Sequence, residues 1–497
     1  MGSSNKVVSG VVWSAVVNIV NAIYGFIAAP LLISYFGKAD YGLIALANSV
    51  NGYMALMDMG LNSTSVRFFS NWLAKGDKEK VSKLLQTCTA FYGIIGIVNA
   101  IVLIIVCVFT DKIFNVSPAQ ATILKNVFVL LACMAVINWY SSCLTQLITA
   151  TENVAWVQKR TLLTKLLMIV VLVGTLVFKL SITQFVFATQ IVTLIILPMT
   201  IRKVVKEAPF ASLWVKFDKY TFKEILPYSL NIFSFSIFQF SFYNLRPVFL
   251  GVLSTPDVIT EYNVMNSLIG LTSAVSTVFM SALLPSSSRI VANGDKENYY
   301  RIAYQGTKFI TVCLCFCAMG MMTICNDLMM VYVGESFMHI IPWFVIWLIL
   351  VVLGSHNQSI SSLILAGADV KAITINTIVS SIMGLGVAWI TIPYYQAGGP
   401  VIAYGVYVAC QVLFYWLYYW PRKMEIRTDK LVKESVLPFL LLGLIGAFTI
   451  RNIPHFDNSW INIFVFGGLF SVFFLLSSWL CFDKNDKQLI LGLVKKK

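Results

Sequence analysis

A chain of 497 residues that is 58% hydrophobic and only 12% charged, with a mean hydropathy of +0.80, is not a soluble domain. Its formal charge of +14 sits largely in loops between apolar runs, so it reads as a membrane-facing bias and gives no ground for a nucleic-acid partner. Runs of about 20 apolar residues, enough to cross about 30 Å of hydrocarbon, occur fourteen times: at 8–34, 42–66, 84–109, 123–148, 161–179, 183–201, 227–251, 260–284, 307–325, 340–364, 372–394, 400–420, 436–450 and 460–481.

The first run has Ser14, Asn18, Asn21 and Gly25 at helical spacing and Pro30 near its outer end, the pattern of a cavity-lining helix. It lacks a small-residue cleavage site, which predicts a signal anchor in place of a removed leader. In the second run, Asn51, Asp58, Asn62 and Ser65 fall within about 30° of one line at about 100° per residue, which predicts one continuous helix with one polar stripe facing a cavity. Asp58 is a lone carboxylate roughly eight residues from the inner boundary, where an intramembrane charge costs about 2.5–3.5 kcal/mol on insertion scales. It reads as an ion-coupling residue or the partner of a cavity cation, against a plain helix contact. Arg67 ends the same run.

Lys165 stands just inside the fifth run, where it either snorkels or reaches the cavity. Residues 202–226 then form a basic stretch with Phe210, Trp214, Phe217 and Phe222, of the kind that lies along an inner membrane surface. The seventh run opens Pro227-Tyr228-Ser229-Leu230-Asn231 and carries Ser236, Gln239, Tyr243 and Arg246 on one face, with Pro247 where the first run has Pro30. Arg246 either snorkels from its outer end or faces the cavity. Arg289 ends the eighth run as Arg67 ends the second. In the tenth, His356 within Ser355-His356-Asn357-Gln358-Ser359 is a group able to titrate near neutral pH, or a satisfied interior polar residue. The ten cysteines lie in or at the ends of apolar runs, and Cys313, Cys315 and Cys317 spread over nearly opposite helix faces, as core filling does.

Two repeats organise the chain. Ala74-Lys75-Gly76-Asp77-Lys78-Glu79 returns 218 residues later as Ala292-Asn293-Gly294-Asp295-Lys296-Glu297, and Leu147–Asn153 resembles Leu363–Asp369. Runs seven to twelve therefore repeat runs one to six. An even number of spans enters from the same side, so the copies are related by an axis along the membrane normal, with a path expected between them. The predicted parts are an N-terminal lobe (1–201), the linker (202–226), a C-terminal lobe (227–421), two additional spans (435–482) and a basic tail (483–497). With both ends inside, 30 of the 36 Lys and Arg fall on the inner side, which sets the orientation. Outer loops are short, leaving no room there for a catalytic domain.

These residues carry a resemblance. Asp40-Tyr41-Gly42, Asp58-Met59-Gly60 with Arg67, Gly76-Asp77, and Phe217-Asp218-Lys219 leading to Phe222-Lys223-Glu224-Ile225-Leu226-Pro227-Tyr228-Ser229-Leu230 resemble the polysaccharide transporter or O-antigen flippase (Wzx-type) family of the multidrug/oligosaccharidyl-lipid/polysaccharide exporter superfamily. The resemblance implies an all-α polytopic membrane protein with two six-helix lobes in a V, spans 1, 2, 7 and 8 lining a cavity. It implies a non-enzymatic flippase that carries an undecaprenyl-diphosphate-linked oligosaccharide to the outer leaflet of a bacterial inner membrane. Expected with it are no cofactor but a coupling cation (H+ or Na+), surrounding lipids, a polysaccharide polymerase as partner, and a monomer. The substrate set is Arg67, Arg246, Arg289, Asn18, Asn62, Asn231 and Gln239, with Asp58 for the ion and Lys165 and His356 as further cavity residues. A cation-coupled drug exporter would typically have twelve spans. A lipid II flippase would have fourteen, with several arginines in its first two, whereas the first run here has none. A membrane glycosyl polymerase would need a sizeable outer loop.

Overall fold

The computed structural model describes residues 3–367 and 371–488, and among them there are helices and turns and no strand. In chain order, α1 (Ser3–Phe36), α2 (Lys38–Tyr53), α3 (Leu61–Ala74), α4 (Lys78–Val108), α5 (Thr110–Ile113), α6 (Pro118–Ala150), α7 (Val154–Phe178), α8 (Ile182–Glu207) and α9 (Lys219–Leu253) are followed by α10 (Pro256–Asn293). Then come α11 (Lys296–Arg301), α12 (Thr307–Thr323), α13 (Cys325–Val333), α14 (Ile341–Ser355), α15 (Gln358–Gly367), α16 (Lys371–Tyr395), α17 (Gly399–Phe414), α18 (Trp420–Lys423), α19 (Thr428–Leu431), α20 (Leu437–Arg451) and α21 (Ser459–Cys481). Each of the fourteen apolar runs falls on one of these helices or on a broken pair. Ten helical stretches among the described residues are long and apolar enough to cross a membrane, and one of them, Ala372–Lys423, holds two of the runs. Large apolar side chains such as Val177, Phe178, Phe464, Val472 and Leu480 are exposed, which lipid tolerates and water does not.

The chain divides into two compact units, Met1–Thr260 and Glu261–Lys497. The first contains all of α9, so the seventh span packs with α2, α3 and α4. A core cluster in this unit joins Phe69, Trp72, Leu84, Leu85, Tyr92, Leu144 and Ile148, with Phe210, Leu213 and Phe222 of the linker packed against them. The linker backbone is pinned to α4, Ser212 N–H donating to Ser82 Oγ (3.0 Å) and Asp218 N–H to Thr87 Oγ1 (3.3 Å), while Trp214 and Tyr220 stand exposed. At the start of α2 and α10 the backbones nearly touch: a Cβ on Gly42 would lie 2.0 Å from the Pro256 carbonyl oxygen, so only glycine fits.

Helix ends follow local chemistry. Ser117 with Gln120 and Ser181 with Gln184 form capping boxes that start α6 and α8. The repeated loop at Ala74–Glu79 and Ala292–Glu297 is built the same way twice. Gly76 (φ 71°) and Gly294 (φ 65°) are left-handed. Asp77 N–H bonds Trp72 O and Gly76 N–H bonds Leu73 O, and 218 residues on Asp295 N–H bonds Ile290 O and Gly294 N–H bonds Val291 O, the helix-ending pattern that a glycine at this position permits. Asp77 then accepts from Lys80 N–H and Asp295 from Asn298 N–H to open the next helix. Hydrogen bonds from Asn298 hold the Asp295 carboxyl below its ordinary pKa. The second repeat lies partly outside the described residues, at 368–370.

Within the second unit, buried hydroxyls join helices side to side: Ser287 to Ser362 (2.7 Å) and Thr307 to Ser359 (2.8 Å). Lys308, on the first turn of α12, pairs with Asp486 (2.5 Å) and Asp483 (3.3 Å), its side chain 8% exposed and that of Asp486 fully buried. The start of the predicted basic tail is thus not a loose charged extension. A helical stretch at 484–488 is fastened to the unit because a buried ammonium needs a counter-charge.

Candidate functional site

The site is built on a break in the second span. Helix α2 ends at Tyr53, a 3-10 turn carries Met54–Asp58, and Met59 (φ 51°) and Gly60 (φ 74°) are both left-handed before α3 begins at Leu61. The second run is therefore two half-helices. This corrects the expectation of one continuous helix with one polar stripe, because angular counting fails where the backbone changes hand. Left-handed backbone is costly for Met59, and its carbonyl, freed at membrane depth, needs a partner inside the protein. Ser229 of α9, fully buried, supplies one through Oγ at 2.7 Å.

The Asp58 carboxylate accepts the Asn62 backbone N–H at 3.0 and 3.1 Å. It therefore caps the amino end of α3, where unpaired donors and the helix dipole favour an anion. It also accepts the hydroxyl of Tyr92 on α4. The Tyr92 oxygen accepts in turn from Gln146 Nε2 of α6 at 2.8 Å, and its ring stacks on Trp139, centroids 5.4 Å apart and planes 18° from parallel. Gln146, Tyr92 and Asp58 thus form a relay from α6 through α4 to the break. Tyr92 and Gln146 are buried, and Gln146 Oε1 has no partner among the described residues. A carboxylate so held can take a proton or pair with a monovalent cation, and the adjoining half-helix terminus attracts anions.

The remaining predicted residues are placed as follows. Asn62 is exposed beside the break, whereas Ser65 is buried with its hydroxyl 3.2 Å from Cys88 Sγ. Arg67, exposed on α3, lays its guanidinium over the Tyr228 ring of α9 at 4.1 Å. Arg246 is 2% exposed, with Nε donating to Phe242 O (3.2 Å) and the guanidinium over the Phe242 and Tyr243 rings; it does not snorkel. Lys165 is half-buried over Tyr24 of α1 at 5.1 Å. Asn18 and Gln239 are exposed on α1 and α9. The side chains of Asn231 and Arg289 lie outside the described residues. In the second unit His356 is buried, Nδ1 2.7 Å from Leu353 O and Nε2 accepting from Trp416 Nε1 at 3.2 Å. That arrangement fits a neutral ring with its single proton on Nδ1.

Sequence reasoning placed Asp58, Asn62 and Arg67 on one span, where Asp58 lies in the break and the other two on α3, but it missed Tyr92, Gln146 and Trp139 and gave Ser229 no role. It also gave no separate role to Arg160. Arg160 bridges three helices, Nη1 donating to Thr145 Oγ1 (2.8 Å) and Thr200 Oγ1 (3.2 Å). The available signal was a polar side chain inside or at the edge of an apolar run: Gln146 lies inside the fourth run and Arg160 one residue before the fifth.

A family model described as "Polysaccharide biosynthesis protein" matches residues 7–291. No curated protein sequence matches the chain. Among solved structures, a lipid II flippase, MurJ, in an inward closed conformation is similar with a TM-score of 0.74 at 14% identity, over 94% of this chain and 98% of that one. An inward-facing multidrug resistance MATE family transporter of the MOP superfamily gives 0.67 at 15% identity, over 85% and 100%. A eukaryotic MATE transporter, AtDTX14, gives 0.58 at 14%, over 88% and 99%. At these identities the likeness is one of fold.

Proposed function

The chain belongs to the polysaccharide biosynthesis protein family of the multidrug/oligosaccharidyl-lipid/polysaccharide exporter superfamily, and from that premise we propose that this multi-pass membrane transporter flips an undecaprenyl-diphosphate-linked oligosaccharide. Transport runs from the cytoplasmic to the outer leaflet of a bacterial inner membrane, with both termini cytoplasmic, in the service of surface polysaccharide synthesis. A diphosphate cannot cross hydrocarbon unaided, so its path must offer donors and cations in place of water, while the polyprenyl tail stays in lipid.

The observation that carries the reading is the break at Asp58-Met59-Gly60. Broken spans place half-helix termini and a carboxylate at membrane depth, where transporters bind ions and charged substrates. Arg67, about two turns into α3 and exposed over Tyr228, is the first phosphate contact. Arg246, buried in this conformation, meets phosphate only in another state of the cycle, and Arg289 is the third contact of the set. Asn18, Asn62, Asn231 and Gln239 are the residues assigned to the sugars. Asp58 takes up the coupling cation, H+ or Na+, its geometry set by Tyr92 and Gln146. The transporter works as a monomer that hands its glycan to a polymerase.

The test is delivery of glycan to the cell surface in a flippase-null strain, normalised to membrane protein. Wild type restores delivery, and Asp58→Asn inserts normally yet loses gradient-dependent transport. Normal dependence in Asp58→Asn leaves that residue a packing role alone. Rescue of cells depleted of their own lipid II flippase, without rescue of glycan delivery, would reassign the substrate to lipid II.

A further inference from the structure

The chain has three histidines, and the surroundings of His455 differ from those of His356 in one decisive respect. His455 lies in the loop between α20 and α21. Its Nδ1 is 2.7 Å from Asp327 Oδ2 of α13, and its Nε2 is 3.3 Å from the carbonyl oxygen of Arg451. Both neighbours are pure acceptors. A neutral imidazole has one N–H and can satisfy only one of them, leaving the other nitrogen's lone pair against an oxygen; the doubly protonated ring donates to both. His356, by contrast, has one acceptor and one donor beside it.

The rest of the cluster is fixed. Asn462 of α21, 2% exposed, donates to Asp327 Oδ1 (2.8 Å) and to Phe456 O (2.8 Å) and accepts from Phe456 N–H (2.9 Å). The His455 ring stacks on Phe466 at 4.4 Å, a face that favours a cation. The charged and titratable groups around it are the Asp327 carboxylate, 7% exposed, and the Cys325 thiol, both on α13; the Arg451 guanidinium of α20, which donates to Asn326 Oδ1 at 3.0 Å; and Asp457 further along the loop. Arg451 opposes a proton on His455 and Asp327 favours it; Asp327 is in direct hydrogen-bond contact and the Arg451 guanidinium is turned to Asn326.

We propose that His455, with Asp327 and the Arg451 carbonyl, is a proton-binding site that fastens α20 and α21, the two spans outside the internal repeat, to α13. With the proton bound, the ring bridges α13 and the end of α20 through two N–H bonds and an ion pair. Without it, the Arg451 bond is lost and the Asp327 bond loses its ion-pair attraction, keeping only the charge on the carboxylate. The clasp is tight when the ring carries both protons and loosens when it carries one. That the proton comes from outside rests on the proposed orientation with both termini inside.

The test is amide hydrogen exchange of residues 452–462 in the full-length protein in nanodiscs, corrected for intrinsic exchange, from about pH 5.5 to about pH 8. Opening of the segment should rise about ten- to hundredfold, the size of a lost charge-assisted bond. Both His455→Gln and Asp327→Asn should be open and flat with pH. A flat wild-type profile overturns the proposal without recourse to any variant, and so does a pH response that persists in His455→Gln. In proteoliposomes of known orientation, changing the pH of one compartment at a time separates the two readings. A response only to the compartment facing the termini refutes the orientation and leaves the proton site standing.

Discussion

Replacing Tyr92 by Phe removes a single oxygen from the relay and tests whether Asp58 works alone. Asp58 loses a hydroxyl donor, and Gln146 Nε2, on a residue 2% exposed, loses its acceptor. A hydrogen bond to a charged group contributes about 1.5–3 kcal/mol and an orphaned buried donor costs about 1–3 kcal/mol. Allowing for relaxation of the Gln146 side chain, the held geometry should weaken by roughly 2–3 kcal/mol, or about 30- to 150-fold. The assay is surface glycan delivery in a flippase-null strain, run as a double-mutant cycle with Asp58→Asn. If Tyr92 acts through Asp58, Tyr92→Phe lowers delivery with protein level unchanged, and the double variant falls no further than Asp58→Asn alone. Ring packing on Trp139 survives the change, so a general loss of fold is not expected. Full activity of Tyr92→Phe, or losses that multiply in the double variant, would refute the relay.

Arg67→Ala should cut glycan delivery at constant protein level, and Arg67→Lys should recover only part, because a guanidinium fork meets paired phosphate oxygens and an ammonium does not; full rescue by Lys reduces Arg67 to a topological anchor. Lys308→Met leaves Asp486 buried without its ammonium and should cost about 3–5 kcal/mol, read as faster tryptic cleavage after Lys484 and Lys487; if Lys308→Met/Asp486→Leu does not regain most of the protection, the pair is not what fastens the segment. Single cysteines near Thr255 and Asn458 should be labelled from outside, and those near Asp77 and Asp295 only after permeabilisation. Outside labelling at Asp295 rejects the orientation.

Fold class was legible because lipid leaves few options: a run long enough to cross must pair its own backbone, so fourteen apolar runs announce helices. The internal repeat was legible in Gly76-Asp77 and Gly294-Asp295 because a left-handed glycine followed by a capping aspartate is local chemistry, and the same hydrogen bonds appear at both places. Asp58 stood out as a lone carboxylate. The break beside it did not, since Met59 is no residue to expect in left-handed backbone and Ser229, which holds its carbonyl, lies 170 residues away. Tyr92 and Gln146 escaped notice for a similar reason: an uncharged polar residue in a span is unremarked until tertiary packing shows what it faces. Arg246 read as a candidate for snorkelling because sequence position gives depth but not direction, and α9 turns it inward.

The pairing of Lys308 with Asp486 also bears on how the protein is made. These partners are 178 residues apart, so at about 5–20 residues per second the ammonium waits roughly 10–35 seconds after its own synthesis for the carboxylate to leave the ribosome. During that interval the first turn of α12 carries an uncompensated charge, which favours a position where water still reaches it. That charge is buried and paired only when residues 483–488 arrive. Chains cut short of Asp486 would therefore carry an uncompensated ammonium on the first turn of α12.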